Sequence, residues 1–156
     1  MNQIRRHAAG VCAMGALFAA ALAIPGAQAL DKPGTVTVTA VASRHTHVDL
    51  GRKGKSVGDV DQYASLIYNR RITQTPIGRG SMLCTTVSSS NQSCSATYFL
   101  PQGEIVVQGV IGSRLIYAMA VVGGTGLYDN VRGSLTVTSL KRSPSVRELL
   151  VFRLVV

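Results

Sequence analysis

Few side chains in this 156-residue sequence are equipped for chemistry, and they fall into small groups. His45-Thr46-His47 with Asp49 is the metal-like group. On an extended segment positions 45, 47 and 49 share a face, presenting two imidazoles and a carboxylate as a zinc or copper donor set. The segment is polar and glycine-bearing, with nothing to orient the ligands, so surface histidines are the preferred reading and no metal is expected. Asp59 and Asp61 are two apart and would form an acid/base pair on one face of a strand. Asp59 is better suited to cap the loop entering that strand. Tyr63, Tyr68, Tyr98, Tyr117 and Tyr128 supply phenolic donors, and Arg114 and Arg132 supply fixed charge for a pocket mouth.

Glycine marks another candidate. Ala118 to Gly133 reads A-M-A-V-V-G-G-T-G-L-Y-D-N-V-R-G, an apolar run leading into Gly123, Gly124 and Gly126 and closing at Gly133. Glycine reaches positive φ without steric cost, so the cluster marks a tight turn of specific shape. A phosphate loop is the chemical alternative. The dinucleotide fingerprint needs G-x-G-x-x-G between strand and helix, and the P-loop needs a following Lys-Ser/Thr pair. Here the spacing differs, no lysine follows, and Ser134-Leu135-Thr136-Val137-Thr138 alternates as a strand. A structural turn between antiparallel strands remains.

The elements that must position these groups are strands. Thr35 to Val41 alternates strictly, a polar loop is expected from Arg44 to Lys55, and further strands read at about 60–69, 81–87, 95–100, 104–108, 115–122, 131–140 and 146–155. Eight short strands with connections rich in Gly, Pro, Ser and Asn predict an all-β antiparallel barrel or sandwich, because crossover helices have nowhere to sit. A closed barrel also removes exposed edges. Its lumen is either filled by side chains or holds one small ligand.

Residues 1–29 read as a secretory leader: Arg5 and Arg6, an apolar run from Ala13 to Ile24, a break at Pro25-Gly26, and Ala27-Gln28-Ala29 as the cleavage site. The run is too short to span a membrane, so no stable insertion is expected. Export to a periplasmic or extracellular space follows, with residues 30–156 as one domain. Losing Arg5 and Arg6 takes the formal charge from +9 to +7. The basic residues are dispersed over Arg52-Lys53-Lys55, Arg70-Arg71 and Lys141-Arg142, without interleaved aromatics, so no nucleic-acid partner is expected. Cys84 and Cys94 remain as an even pair in an oxidising compartment. With a hairpin tip near Ser89 they face each other across two strands, within disulfide range.

The glycine turn also carries a resemblance. A-V-V-G-G-T-G-x-Y followed by R-G is similar to the signature shared by dirigent proteins and allene oxide cyclases. Val57-Gly58-Asp59 with Leu66-Ile67-Tyr68-Asn69 resembles their second strand region. Gly78 to Cys84, Ser95 to Tyr98 and Gly103 to Gly109 resemble the middle of a cyclase barrel. The match covers about residues 35 to 156, with its motifs in order. It implies an eight-stranded antiparallel closed barrel of the calycin type, no cofactor, and self-association as a dimer or trimer. The dirigent pattern implies that Arg132 faces the pocket; an ion pair to Asp129 or Asp59 is its structural alternative. Plant cyclases carry a cysteine near Cys84, which leaves a free reactive thiol as the alternative to the bridge.

The departures bear on activity. Where dirigent proteins carry acids, this sequence has Ser65 and Leu127, and strand one lacks the cyclase glutamate. Ser65 keeps a hydrogen-bonding role in the column where cyclases hold a water. Two functions follow from the resemblance. One is a cofactor-free barrel that binds a small apolar or phenolic molecule and guides its cyclisation, isomerisation or coupling, with Ser65, Tyr98, Tyr117 and Arg132 as polar contacts. The other is a non-enzymatic secreted barrel that binds a ligand or associates with the envelope.

Overall fold

Period-two alternation of apolar and polar side chains sends one face of each segment inward, and the chain resolves that pattern by closing on itself. The computed structural model describes residues 30–71, 75–142 and 145–156, so the leader expected over residues 1–29 lies outside the described residues. Eight strands follow in order: β1 (Gly34–Val48), β2 (Val60–Asn69), β3 (Gly78–Thr86), β4 (Asn91–Leu100), β5 (Gly103–Gly112), β6 (Ile116–Gly124), β7 (Arg132–Arg142) and β8 (Ser145–Val155). Each pairs antiparallel with the next, and β8 pairs back on β1 to close the barrel.

β1 is longer than its sequence suggests. The polar loop expected from Arg44 begins only after Val48, because Arg44 to Val48 pair with Val60 to Ala64 of β2. Backbone hydrogen bonding overrides the weak strand preference of these polar residues. The pairing shifts between Ala42 and Arg44, leaving Ser43 as an extra residue. This bulge reverses the parity of the strand. Ala40 faces the lumen before it, and His45 and His47, paired with Tyr63 and Asp61, face the lumen after it.

The lumen is packed at one end. Phe152, Leu150, Leu154, Leu135, Val137, Ile105, Val107 and Ile67 are fully buried or nearly so. Tyr98 meets the Phe152 ring edge-on, with centroids 5.2 Å apart. Each large side chain removed from water here stabilises the fold by about 1.5–3 kcal/mol. The connection from β6 to β7 covers this end. It includes a 3-10 turn, Gly126–Tyr128, and buries Tyr128 and Val131.

Glycine builds that cover. Thr125 N–H donates to Glu104 O at 3.0 Å and Leu127 N–H to Gln102 O at 2.8 Å, clasping the β6–β7 connection onto the β4–β5 turn. Gly126 has φ +63°, and a Cβ there would stand 2.5 Å from Gln102 O. Gly133 has φ +135°, and its Cβ would collide with Arg153 O.

Candidate functional site

Toward the other end the inward residues become small, and the lumen opens. Ala40 and Ala42 of β1 and Gly80 of β3 stand where the closed half carries leucine and phenylalanine. A cavity of about 380 Å³ results, lined also by His45, Tyr63, Ser65, Met82, Tyr98, Ile111, Tyr117 and Glu148. That volume lies within the range of small-molecule pockets. Gly80 makes the room: a Cβ on it would come within 2.6 Å of Ser65 Oγ and 3.1 Å of the Tyr98 ring.

Glu148 is the acid of this cavity. It lies two residues before Leu150 on β8 and pairs with Ala40 on one side and Ser139 on the other, so it shares the inward phase of the core. Burial pushes its carboxyl above the ordinary carboxylate range, and a hydrogen bond from Tyr117 offsets only part of that. Burial likewise raises the Tyr117 and Tyr98 phenols far above their usual range, keeping both as neutral donors. Tyr63 is raised too, by burial and then by the charges of Asp61 and Glu148. The apolar wall thus disfavours the charged form of each of these groups.

The mouth is organised by Asp61. Its Oδ1 accepts from His45 Nε2 and from His47 Nδ1, both at 2.8 Å, and its Oδ2 accepts from Gln92 Nε2 at 2.6 Å. Burial pushes the Asp61 carboxyl up, but these bonds outweigh it and the net shift is downward. The His45 ring stacks flat on Tyr63, with centroids 4.5 Å apart and planes within 7°. Asp59, fully buried, ties the β1–β2 loop: it accepts from Leu50 N–H at 2.9 Å and from Ser56 N–H at 2.5 Å. These backbone bonds, with Ser56 first, hold its carboxyl below the ordinary range.

Of the residues singled out from sequence, the structure brings Ser65, Tyr98 and Tyr117 together in the cavity wall. It does not bring Arg132 there. Gly133 and Leu135 take the inward phase, and Arg132 lies exposed at the closed end, donating to Val131 O at 2.9 Å. No ion pair from Arg132 to Asp129 or Asp59 forms among the described residues. Leu127 packs against the core at that same end. The His45–His47–Asp49 set does not assemble, since Asp49 accepts from Gly54 N–H at 2.9 Å while both histidines turn to Asp61. Asp59 and Asp61 likewise have separate tasks.

Cys84 and Cys94 form a disulfide across β3 and β4, with Cα atoms 4.1 Å apart, and both are buried. This excludes the free thiol at Cys84. The hairpin tip closes at the expected place, where Val87 N–H donates to Asn91 O at 3.0 Å. Glu148 was not among the residues singled out, although its phase with Leu150, Phe152 and Leu154 on a period-two strand is a legible signal.

The fold matches solved structures. A pyocyanin demethylase aligns with a TM-score of 0.67 at 26% identity, covering 78% of this chain and all of the other (100%). A pterocarpan synthase dirigent protein aligns with a TM-score of 0.65 at 13% identity, covering 79% of this chain and 87% of the other. An exo-specific intermolecular Diels-Alderase aligns with a TM-score of 0.62 at 14% identity, covering 78% and 97%. No family model and no curated protein matches the sequence. These alignments and the closed eight-stranded antiparallel sheet agree on the fold: the chain is a barrel like those of the dirigent protein and the Diels-Alderase.

Proposed function

We propose that the chain is an exported barrel that binds one small apolar or phenolic molecule in its open half and guides cyclisation, isomerisation or coupling without a cofactor. The observation that carries this reading is Glu148: a carboxyl held above its ordinary range in an apolar cavity, bonded to Tyr117. A neutral carboxylic acid donates a hydrogen bond or a proton to a ligand oxygen, which an ionised one does not. Ser65 and Tyr98 add fixed polar contacts, and the packed half forms a rigid floor that holds the ligand in a reactive geometry. The names of the aligned structures support the class, since a demethylase, a dirigent protein and a Diels-Alderase each act on small organic molecules.

Export is supported by the leader pattern and by the disulfide, and no helix among the described residues is long and apolar enough to cross a membrane. Self-association belongs to the same proposal. Leu83, Val110 and Val122 line an outer groove, with exposures of 52%, 62% and 37%, and light scattering on the mature protein would read the copy number.

The test is calorimetric titration with a panel of small apolar and phenolic molecules, beside an Ala42→Trp variant that closes the mouth. Saturable one-to-one binding, weakened about tenfold or more by the variant, is expected. Uptake that ignores Ala42→Trp would remove the cavity from the account. Bound ligands recovered unchanged after incubation would leave a binding barrel without an activity.

A further inference from the structure

The mouth of the cavity holds an imidazole fixed in two independent ways. Asp61 sets the direction of the His45 ring through the 2.8 Å bond to Nε2, and Tyr63 sets its plane through the 4.5 Å stack. Asp61 is itself immobilised, being 7% exposed and bonded to His47 and Gln92 as well. An ionised carboxylate only accepts, so the protons of these bonds sit on His45 Nε2 and His47 Nδ1. A neutral His45 therefore keeps Nδ1 as a free acceptor, and a carboxylate stands ready to compensate the charge when that nitrogen is protonated. The ring is half exposed at the rim, 52% by side chain. It lines the cavity only because the Ser43 bulge turned the strand over.

We propose that His45 is the proton acceptor of the cavity, that Asp61 is its positioning residue, and that the ligand is a hydroxy-aromatic whose O–H is ionised on binding. The step is a simple transfer: the ligand O–H bond breaks, its proton moves to His45 Nδ1, and the electron pair stays on the ligand oxygen as a phenolate. The imidazolium so formed is paired with Asp61. The Glu148 carboxyl, held by Tyr117, stands in the same cavity as a polar contact for the oxygen-bearing ligand. The groups that bear on His45 are Asp61 and Tyr63 of β2, with Arg44 of its own strand and Glu148 of β8 lining the same cavity. This inference rests on the cavity being a ligand site.

The test uses 4-nitrophenol, whose anion alone absorbs visible light, and reads its ionisation when bound to the mature protein across a pH series. The acid dissociation of bound probe is expected to rise about tenfold, a fall of about one unit in its apparent pKa. His45→Phe keeps the stack on Tyr63 and removes the acceptor, so it should bind the probe but return its ionisation to the free value. Asp61→Asn should lose most of the shift, and Asp61→Glu should recover part of it, which a purely structural role does not predict. A bound probe with unshifted ionisation, or an unchanged shift in His45→Phe, overturns the inference alone. If neither the probe nor any phenol of the panel binds, the cavity reading falls and this one with it.

Discussion

A single carboxyl links the stability of this barrel to its chemistry. Glu148 has a folded-state pKa raised by burial, so the folded protein holds its proton more tightly than the unfolded chain does. For such a group, stability is lost as pH rises from the ordinary value of 4.5 through the folded-state value. Glu148→Gln keeps a neutral hydrogen-bonding group in the same volume and removes that loss. Its melting temperature is expected to match the wild type near pH 4 and to exceed it by a few degrees at neutral pH, on the order of a 1 kcal/mol effect for a domain of this size. Melting curves at the two pH values check this, and identical curves would contradict the desolvation of Glu148. The neighbouring residues show how far sequence reaches at this scale. Glu148 was readable because its strand alternates without interruption to Leu154. His45 was readable as a residue that could do chemistry, but its partner was not. Parity counted from Thr35 fails at Ser43, and Asp61 lies on another strand whose register against β1 no local pattern specifies.

Among the elements, the β6–β7 connection and the β3–β4 hairpin were the most legible, since glycine spacing and paired cysteines are local signals. What the sequence could not rank was the individual glycines. At Gly133 a methyl group would sit against Arg153 O in a left-handed backbone, whereas at Gly123 the nearest atom to a new Cβ is the Arg132 side chain at 3.7 Å. Gly133→Ala is therefore expected to cost about 2 kcal/mol or more, and Gly123→Ala less than about 0.5 kcal/mol. Chemical denaturation of the pair decides it; equal losses would mean that the turn, not the single contact, sets the requirement. The hairpin offers a second comparison. Replacing both Cys84 and Cys94 by alanine should cost about 2–3 kcal/mol, because the bridge closes a short loop that the unfolded chain must otherwise close by chance. The strand ends of β1 and β4 were less legible. Arg44 to His47 and Asn91 to Ser93 are polar, and they become strand only by pairing with β2 and β5.

At the scale of the whole molecule, the barrel is two halves with different physics: a packed end that supplies stability, and an open end held by a few hydrogen bonds to buried carboxylates. The two ends should respond differently to pH. Asp59 and Asp61 have folded-state pKa values below the ordinary 3.8, so the stability they contribute is present above that value and is lost as pH falls through the folded values. His47 is raised above 6.5, chiefly by its bond to Asp61, so its contribution is complete below 6.5 and is lost as pH rises through the folded value. Between about pH 4 and 6.5 both contributions are in place, and the mouth is held most firmly there. The amides of Leu50 and Ser56, which donate to Asp59, should then lose hydrogen-exchange protection on acidification while those of Leu135 and Phe152 in the packed half keep theirs. Asp59→Asn should bring the same opening at neutral pH, because the amide accepts more weakly than a carboxylate. Protection lost at one pH by all four amides together would show instead that the barrel opens as a single unit, and that the carboxylates at the mouth hold the whole fold rather than one end of it.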